Sequence, residues 1–387
     1  MIGLVLATAF ATAACGSAPT GGPAPEASCG PRWPLWDAYA KHFIEADGRV
    51  VDNLAKHTTS EGQAYALFHA LVARDRATFD RVLAWTEKHL SGGDLGARLP
   101  AWRWADGKVA DKNPASDADL WMAYVLVQAA AAWDAPELAT KGGRLLAQIA
   151  AHEVKELSGL GPTLVPAPMG FDLGDTWRLN PSYTPIQLLR WAARIDADGP
   201  WEGTIASFAR LTDEATPGRV WPDWVGWDSK QFVADPTTGP VGSYDAIRAY
   251  LWSAMLSEDE PRRGVMLARG TRLLEAARTL GFAPDKLDTQ KRDDLADVVK
   301  SANAPVGFQA VAAAFARALG DNATAARLED SVERQKRADG LYGEPAFYYD
   351  QNLVLFAQAF RDGRFRFRAD GGLELPKPSV ESSCRPD

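Results

Sequence analysis

A chain of 387 residues with a formal net charge of -8 and no basic stripe is a poor match for nucleic acid, because phosphate binding needs clustered Lys and Arg. Apolar residues at 46% and charged residues at 24% instead fit a globular protein that buries a sizeable core, as one large domain or two ordinary ones. The 14 tryptophans stand out, and many fall in loop-like contexts: Trp102, Trp104, Trp177, Trp221, Trp224 and Trp227. Loop indoles either pack or offer flat faces to sugar rings, and composition leaves both readings open.

In chain order, "MIGLVLATAFATAAC" (1–15) resembles a secretory apolar run with a small-residue cleavage site, although it lacks a positive N-terminal region. Cys15 follows "TAA" and precedes Gly16, a lipobox-like setting with Thr12 where Leu is preferred. A lipid anchor at Cys15 therefore stands beside plain cleavage. Residues 16–28 form a Pro/Gly/Ala/Ser linker, and 29–387 read as a single domain. Export places the protein in the periplasm or outside the cell. In that oxidising setting Cys29 and Cys384 are disulfide candidates that would tie the ends of the domain together. No later apolar stretch reaches the roughly 18 residues of a membrane span.

From residue 33 onward apolar residues recur at spacings of three and four, with no convincing strand-like alternation. The spacing predicts twelve helices, near 33–46, 60–74, 76–90, 116–133, 136–154, 182–195, 199–214, 243–256, 259–281, 305–319, 322–336 and 347–361. The gaps within 60–74/76–90, 116–133/136–154 and 305–319/322–336 are very short, which makes each an antiparallel hairpin. Connections at 91–115, 155–181 and 215–242 are long and hold most of the Pro, Gly and loop Trp. Twelve helices in six hairpins predict an all-α (α/α)6 barrel, with an inner ring of six inside an outer ring of six. The even-numbered helices are then parallel, their N-termini gather at one end, and a cleft is expected there.

Three even helices open on acidic residues. "SEGQ" (60–63), "SDAD" (116–119) and "SYD" (243–245) put Glu61, Asp117 and Asp245 into first turns. Ser60, Ser116 and Ser243 read as N-caps, with Gln63 and Asp119 as reciprocal capping-box partners. Taken singly, such acids are what a helix dipole favours. Converging at one end of a barrel beside aromatic loops, they supply what glycoside hydrolysis needs. One carboxylic acid protonates the leaving oxygen, and a second carboxylate acts as base or nucleophile. Their separation decides between inversion and retention, and sequence does not contain it. A helix N-terminus favours the ionised carboxylate, so a general acid at Glu61 needs desolvation and repulsion from Asp117 to outweigh the dipole. The five histidines, at 42, 57, 69, 89 and 152, include no HExxH or other metal spacing. No GxSxG, phosphate loop or dinucleotide fingerprint is present, and no cofactor or metal is expected.

"ASDADLWMAYVLVQAAAAW" (115–133) resembles the signature of glycoside hydrolase family 8, departing from it at Val125, where Ser or Ala is usual. Residues 59–90, "RLPAWRW" (98–104), "WRLNPSYTP" (177–185), "WPDWV" (221–225) and "SYDAIRAYLW" (243–252) resemble the branch encoded with bacterial cellulose synthase. The resemblance covers 29 to 370. It implies an (α/α)6 fold and a periplasmic, inverting endo-β-1,4-glucanase acting on a β-1,4-glucan chain, functionally associated with the cellulose synthase complex. It also implies Glu61 as general acid, Asp245 as general base and Asp117 as the residue that holds the sugar at the cleavage point. Trp102 and Trp177 match glucose-stacking positions, Tyr244 and Arg248 flank the base, and Asn180, Tyr183 and Tyr349 line the cleft. Asp119 joins the substrate-binding candidates. Xylan or chitosan as substrate, or a non-catalytic glucan-binding role, are the alternatives.

Overall fold

In the computed structural model of the protein, residues 33–292, 294–301 and 303–376 are described. The signal, linker and disulfide expectations, with Cys15, Cys29 and Cys384, lie outside the described residues. Among these residues there are fourteen helices: α1 Pro34–Phe43, α2 Ser60–Ala73, α3 Arg76–Leu90, α4 Ser116–Trp133, α5 Pro136–His152, α6 Ile186–Ile195, α7 Trp201–Glu214, α8 Ala246–Ala254, α9 Arg263–Ala268, α10 Thr271–Leu280, α11 Leu295–Val298, α12 Val306–Ala318, α13 Asn322–Glu333 and α14 Tyr348–Arg361.

The chain forms an (α/α)6 barrel. Contacts run α2–α4–α6, then α8–α12–α14 and back to α2, so six helices close an inner ring. Between α6 and α8 the ring is bridged by the 3₁₀ turn Pro181–Tyr183, whose Ser182 carbonyl accepts from Trp252 Nε1 at 2.9 Å. The remaining long helices pack outside: α1 against α14 and α2, α3 on α2, α5 on α4, α7 on α6, and α10 and α13 on α12. Helices α2 and α4 are apolar nearly all round, which requires burial on every side and suits the inner ring. Every residue from Gly62 to Val72 in α2, and from Ser116 to Leu126 in α4, is buried. Aromatic side chains from four inner helices plug the barrel: Phe68 stacks on Phe356 at 5.1 Å, and Trp121 lies 5.2 Å from Trp252. Such pairs add about 0.5–1.5 kcal/mol each beyond their area burial. The cleft end therefore rests on a solid floor rather than a channel.

Short hairpins form as predicted. Single residues in the left-handed region, Arg74 and Asp134, turn α2 into α3 and α4 into α5, and Gly320 does the same between α12 and α13. Three expectations need correction. The predicted helix over 259–281 is two helices, α9 and α10, separated at Gly270. A Cβ on Gly270 would lie 2.7 Å from both Phe315 and Tyr250, so close packing requires glycine there. The helices predicted from 182 and 243 begin later, at 186 and 246, because the 3₁₀ turn and a non-helical Ser243–Tyr244 precede them. The long loops also contain short strands, grouped in five small sheets of two or three strands among the described residues. One hairpin, Arg103–Ala105 with Lys108–Asp111, turns on Asp106 and Gly107, both at positive φ. That is an Asp-Gly hairpin turn, a local signal that the helical spacing overshadowed. The central sheet pairs Trp177–Leu179 with Val225–Trp227 and then Phe232–Ala234, which carries two tryptophan loops to the cleft.

Candidate active site

The three acidic helix starts converge on one side chain. Arg248, one turn into α8 and nearly buried, donates from Nη1 to Asp117 Oδ2 at 2.8 Å and to Glu61 Oε2, and from Nη2 to Asp245 Oδ1 at 2.7 Å. A single guanidinium thus organises carboxylates from α2, α4 and the start of α8. The resemblance places Arg248 beside Asp245; its role as common partner of all three acids was not expected. Arg248 is enclosed, and both of its Nη groups bond the carboxylates, so it acts on them rather than lying open as a sugar contact.

The caps differ from expectation. Thr59, not Ser60, is the N-cap of α2, its Oγ1 accepting from Gly62 N at 3.1 Å. Gln63 takes no part in capping. Its Oε1 accepts from Val50 N at 2.6 Å and its Nε2 donates to Thr86 Oγ1 at 2.8 Å, tying the 44–51 loop to α2 and α3. Helix α4 starts from Ala115 without a side-chain cap, and Asp117 Oδ1 instead accepts from Ala118 N at 2.8 Å. Glycine at 62 has a steric reason, since a Cβ there would sit 1.8 Å from the Tyr348 hydroxyl.

At α8 the cap comes from far upstream. Asp223 Oδ1 accepts from the backbone N–H of Ser243 (2.7 Å), Asp245 (3.1 Å) and Ala246 (2.7 Å). Next to it, Trp224 Nε1 donates to Asp245 Oδ2 at 2.9 Å. Asp223 was not among the expected site residues. Its position in "WPDWV" carries no local capping signal, because the helix it caps starts more than twenty residues later.

Electrostatics separate the acids. Burial, followed by repulsion from Asp117 and Asp245 and opposed by Arg248, raises Glu61 to about 7. Burial also raises Asp117, against the pull of Arg248 and the Ala118 N–H. Asp223 is pushed up to about 6, chiefly by burial and then by Asp245. Glu61 keeps a partly open side chain, as does Asp245, so both face the cleft.

The aromatic candidates divide. Trp221 and Trp227 are buried packing residues, and Trp227 Nε1 donates to the Ser158 carbonyl at 3.0 Å. Trp104 lies edge-on to Trp85 and His89. Trp102 and Trp177 are half-buried on the hairpin and sheet beside the site. Tyr183 places its ring 5.3 Å from the Arg248 guanidinium carbon. Tyr349 donates to the Tyr244 carbonyl at 2.6 Å, and Tyr244 itself is 50% exposed, its ring 5.0 Å from Phe308.

Two expected substrate contacts do not face the cleft. Asn180 is nearly buried, and its Oδ1 caps the 3₁₀ turn by accepting from Ser182 N (2.9 Å) and Ser182 Oγ (2.7 Å). Its part is to set Tyr183 beside Arg248. Asp119 is fully buried against Glu153, the residue after α5. Among the described residues no cluster of His, Cys, Asp and Glu could hold a metal ion, and no helix is long and apolar enough to cross a membrane.

The model of the glycosyl hydrolases family 8 matches residues 24–363, and the chain belongs to that family. An endoglucanase of Xanthomonas axonopodis pv. citri is 43% identical over 355 residues, with 89% of each chain covered. An endoglucanase of Escherichia coli K12 is 37% identical, covering 90% of this chain and 92% of its own. The crystal structure of an endo-1,4-D-glucanase from Vibrio fischeri superposes with a TM-score of 0.81 at 37% identity, over 89% of this chain and 99% of that one.

Proposed function

We propose that the protein is an inverting endo-β-1,4-glucanase that cuts cellulose-like chains. Glu61 is the general acid, Asp245 the general base, and Asp117 holds the sugar at the cleavage point. Export through residues 1–15 places it in the periplasm, where the chain it cuts is the product of cellulose synthesis. The endoglucanase relatives support the substrate class. The observation that carries the reading is the grouping of Glu61, Asp117 and Asp245 around Arg248, with Glu61 raised to about 7.

A general acid works best when its pKa lies near the working pH. Arg248 occupies Glu61 Oε2, so the transferable proton belongs on Oε1. In the reaction that proton passes to the glycosidic oxygen as its bond to the anomeric carbon breaks. A water attacks that carbon from the opposite face, and Asp245 takes the proton which the water releases. One carboxylate gains a charge while the other loses one, so the net charge around Arg248 is unchanged through the step. The fixed guanidinium serves both ends without reorganising.

Release of reducing ends from carboxymethylcellulose tests the assignment. Glu61→Gln keeps the shape and loses the proton, and its rate falls roughly a thousandfold, within the range for general acid catalysis. Equal rates for variant and wild type would remove Glu61 from the role. NMR of the first product from a cello-oligosaccharide shows inverted configuration; retention would exclude Asp245 as a water-activating base.

A further inference from the structure

Trp224 belongs to the tryptophans that sequence offered as sugar platforms, yet its surroundings leave little ring free for a sugar. Phe171 stacks against it at 5.5 Å and 10°, Arg178 lies 4.6 Å from its ring centroid, and Tyr183 approaches at 5.9 Å. Arg178 is itself fixed, donating from Nε and Nη2 to the two oxygens of buried Asp235 at 2.7 and 2.9 Å. Asp235 in turn accepts from the Thr238 backbone N–H and hydroxyl, at 2.7 and 2.8 Å. The indole is thereby held by a rigid stack, and the one polar atom it carries points at Asp245 Oδ2, 2.9 Å away.

Its sequence neighbour completes the grip. Asp223 binds the backbone N–H of Asp245 and of the residue after it, so the segment 223–224 holds both the main chain and the side chain of Asp245. Arg248 occupies Oδ1 and Trp224 occupies Oδ2. A carboxylate offers about four lone-pair sites, so each oxygen keeps one for a water, and the two fixed donors decide which way those sites face.

We propose that Trp224 is a positioning residue for hydrolysis: its indole N–H fixes the Asp245 carboxylate so that the remaining lone pair of Oδ2 faces the attacking water. This rests on the reading of Asp245 as general base. An N–H bond to a charged acceptor is worth about 1.5–3 kcal/mol, or roughly ten- to a hundredfold in rate when lost from the reacting arrangement.

The test compares Trp224→Phe and Asp245→Asn, in the full chain, on cellopentaose. Trp224→Phe keeps an aromatic ring against Phe171 and Arg178 and removes the donor. Its kcat falls at least about tenfold while KM stays within about twofold, because the group acts on the base and not on the sugar. A raised KM with unchanged kcat would make Trp224 a sugar contact, and unchanged values of both would leave it no role; either overturns the proposal. If Asp245→Asn is inactive while Trp224→Phe matches wild type, the base stands and the positioning role falls. If Asp245→Asn keeps the wild-type rate, the base assignment falls and takes the proposal with it. Should Trp224→Phe fail to fold, the hydrogen bond is read directly by NMR. One indole N–H resonance moves between wild type and Asp245→Ala, and a spectrum in which none moves overturns the proposal.

Discussion

Asp117 and Asp119 lie two residues apart in the first turn of α4, are both buried, and have opposite surroundings. Asp117 meets a cation: Arg248 Nη1 lies 2.8 Å away. Asp119 meets another acid, Glu153, and burial pushes both of these carboxyls well above the ordinary carboxylate range, with the neighbouring charge adding to the rise at Asp119. Residue type and helix position are shared, so neither decides the role. The element packed opposite does: α8 brings a guanidinium to one, and the end of α5 brings a carboxyl to the other. The first arrangement holds charge at an open cleft. The second sets two carboxyls against each other inside the wall.

The most severe way to break the comparison is to remove the cation. Arg248→Met leaves Glu61, Asp117 and Asp245 crowded without a counter-charge. Deleting one partner of a buried pair costs roughly 3–5 kcal/mol, because the other partners remain desolvated. Chemical denaturation reads the stability loss, and activity falls with it to background. A variant as stable and active as wild type would mean that the three acids do not depend on Arg248.

Asp117→Asn is milder and has a sign. Glu61 must be protonated to act, so activity falls as pH rises through its pKa of about 7. The Asp117 charge helps to hold that value up, after burial and against Arg248. With the charge removed, the alkaline limb of the kcat/KM profile moves to lower pH by about one unit, a size typical of one nearby charge. A limb that stays in place, or moves up, would dissociate the two acids. Asp119→Asn is the control on the same turn. It touches neither Arg248 nor the cleft, so the limb keeps its position and kcat stays within about threefold, as for a change away from the reacting groups.

How much of this was legible depended on whether the determining contact was local. The long helices were readable, because spacings of three and four repeat over several turns, and their bounds moved by only a few residues. Glu61, Asp117 and Asp245 were readable as acids at the starts of even helices, and the motif resemblance gave them roles. Thr59 and Ser60 are adjacent hydroxyls, equally suited to cap, and only the path of the chain into α2 selects Thr59. The cap of α8 was hidden because Asp223 reaches it across the Phe232–Ala234 hairpin. Strands of two to four residues contain too few alternations to register against helical spacing. Asp119 was read as a substrate contact from its motif, and nothing near it in sequence announces Glu153, thirty-four residues later.

The gentlest test sits on that second acid pair. In the folded protein burial raises the carboxyls of Asp119 and Glu153 well above the ordinary pKa they have in the unfolded chain. Groups raised in this way stabilise fully at low pH, and that stability is lost as pH rises toward the folded value. Each retained proton costs about 1.4 kcal/mol per pH unit above the unfolded pKa. At Glu153 the hydrogen bond with Asp119 opposes the effect of burial, Asp117 adds to it and Lys155 opposes it. Glu153→Gln keeps a hydrogen-bonding partner for Asp119 and removes one of the two raised carboxyls from this balance. Its melting temperature therefore falls less steeply than wild type as pH rises above the ordinary carboxyl range, while cellopentaose turnover stays near wild type. Parallel melting curves would mean that the pair is ionised in the folded state, and that Asp119 and Asp117 differ less than their partners suggest.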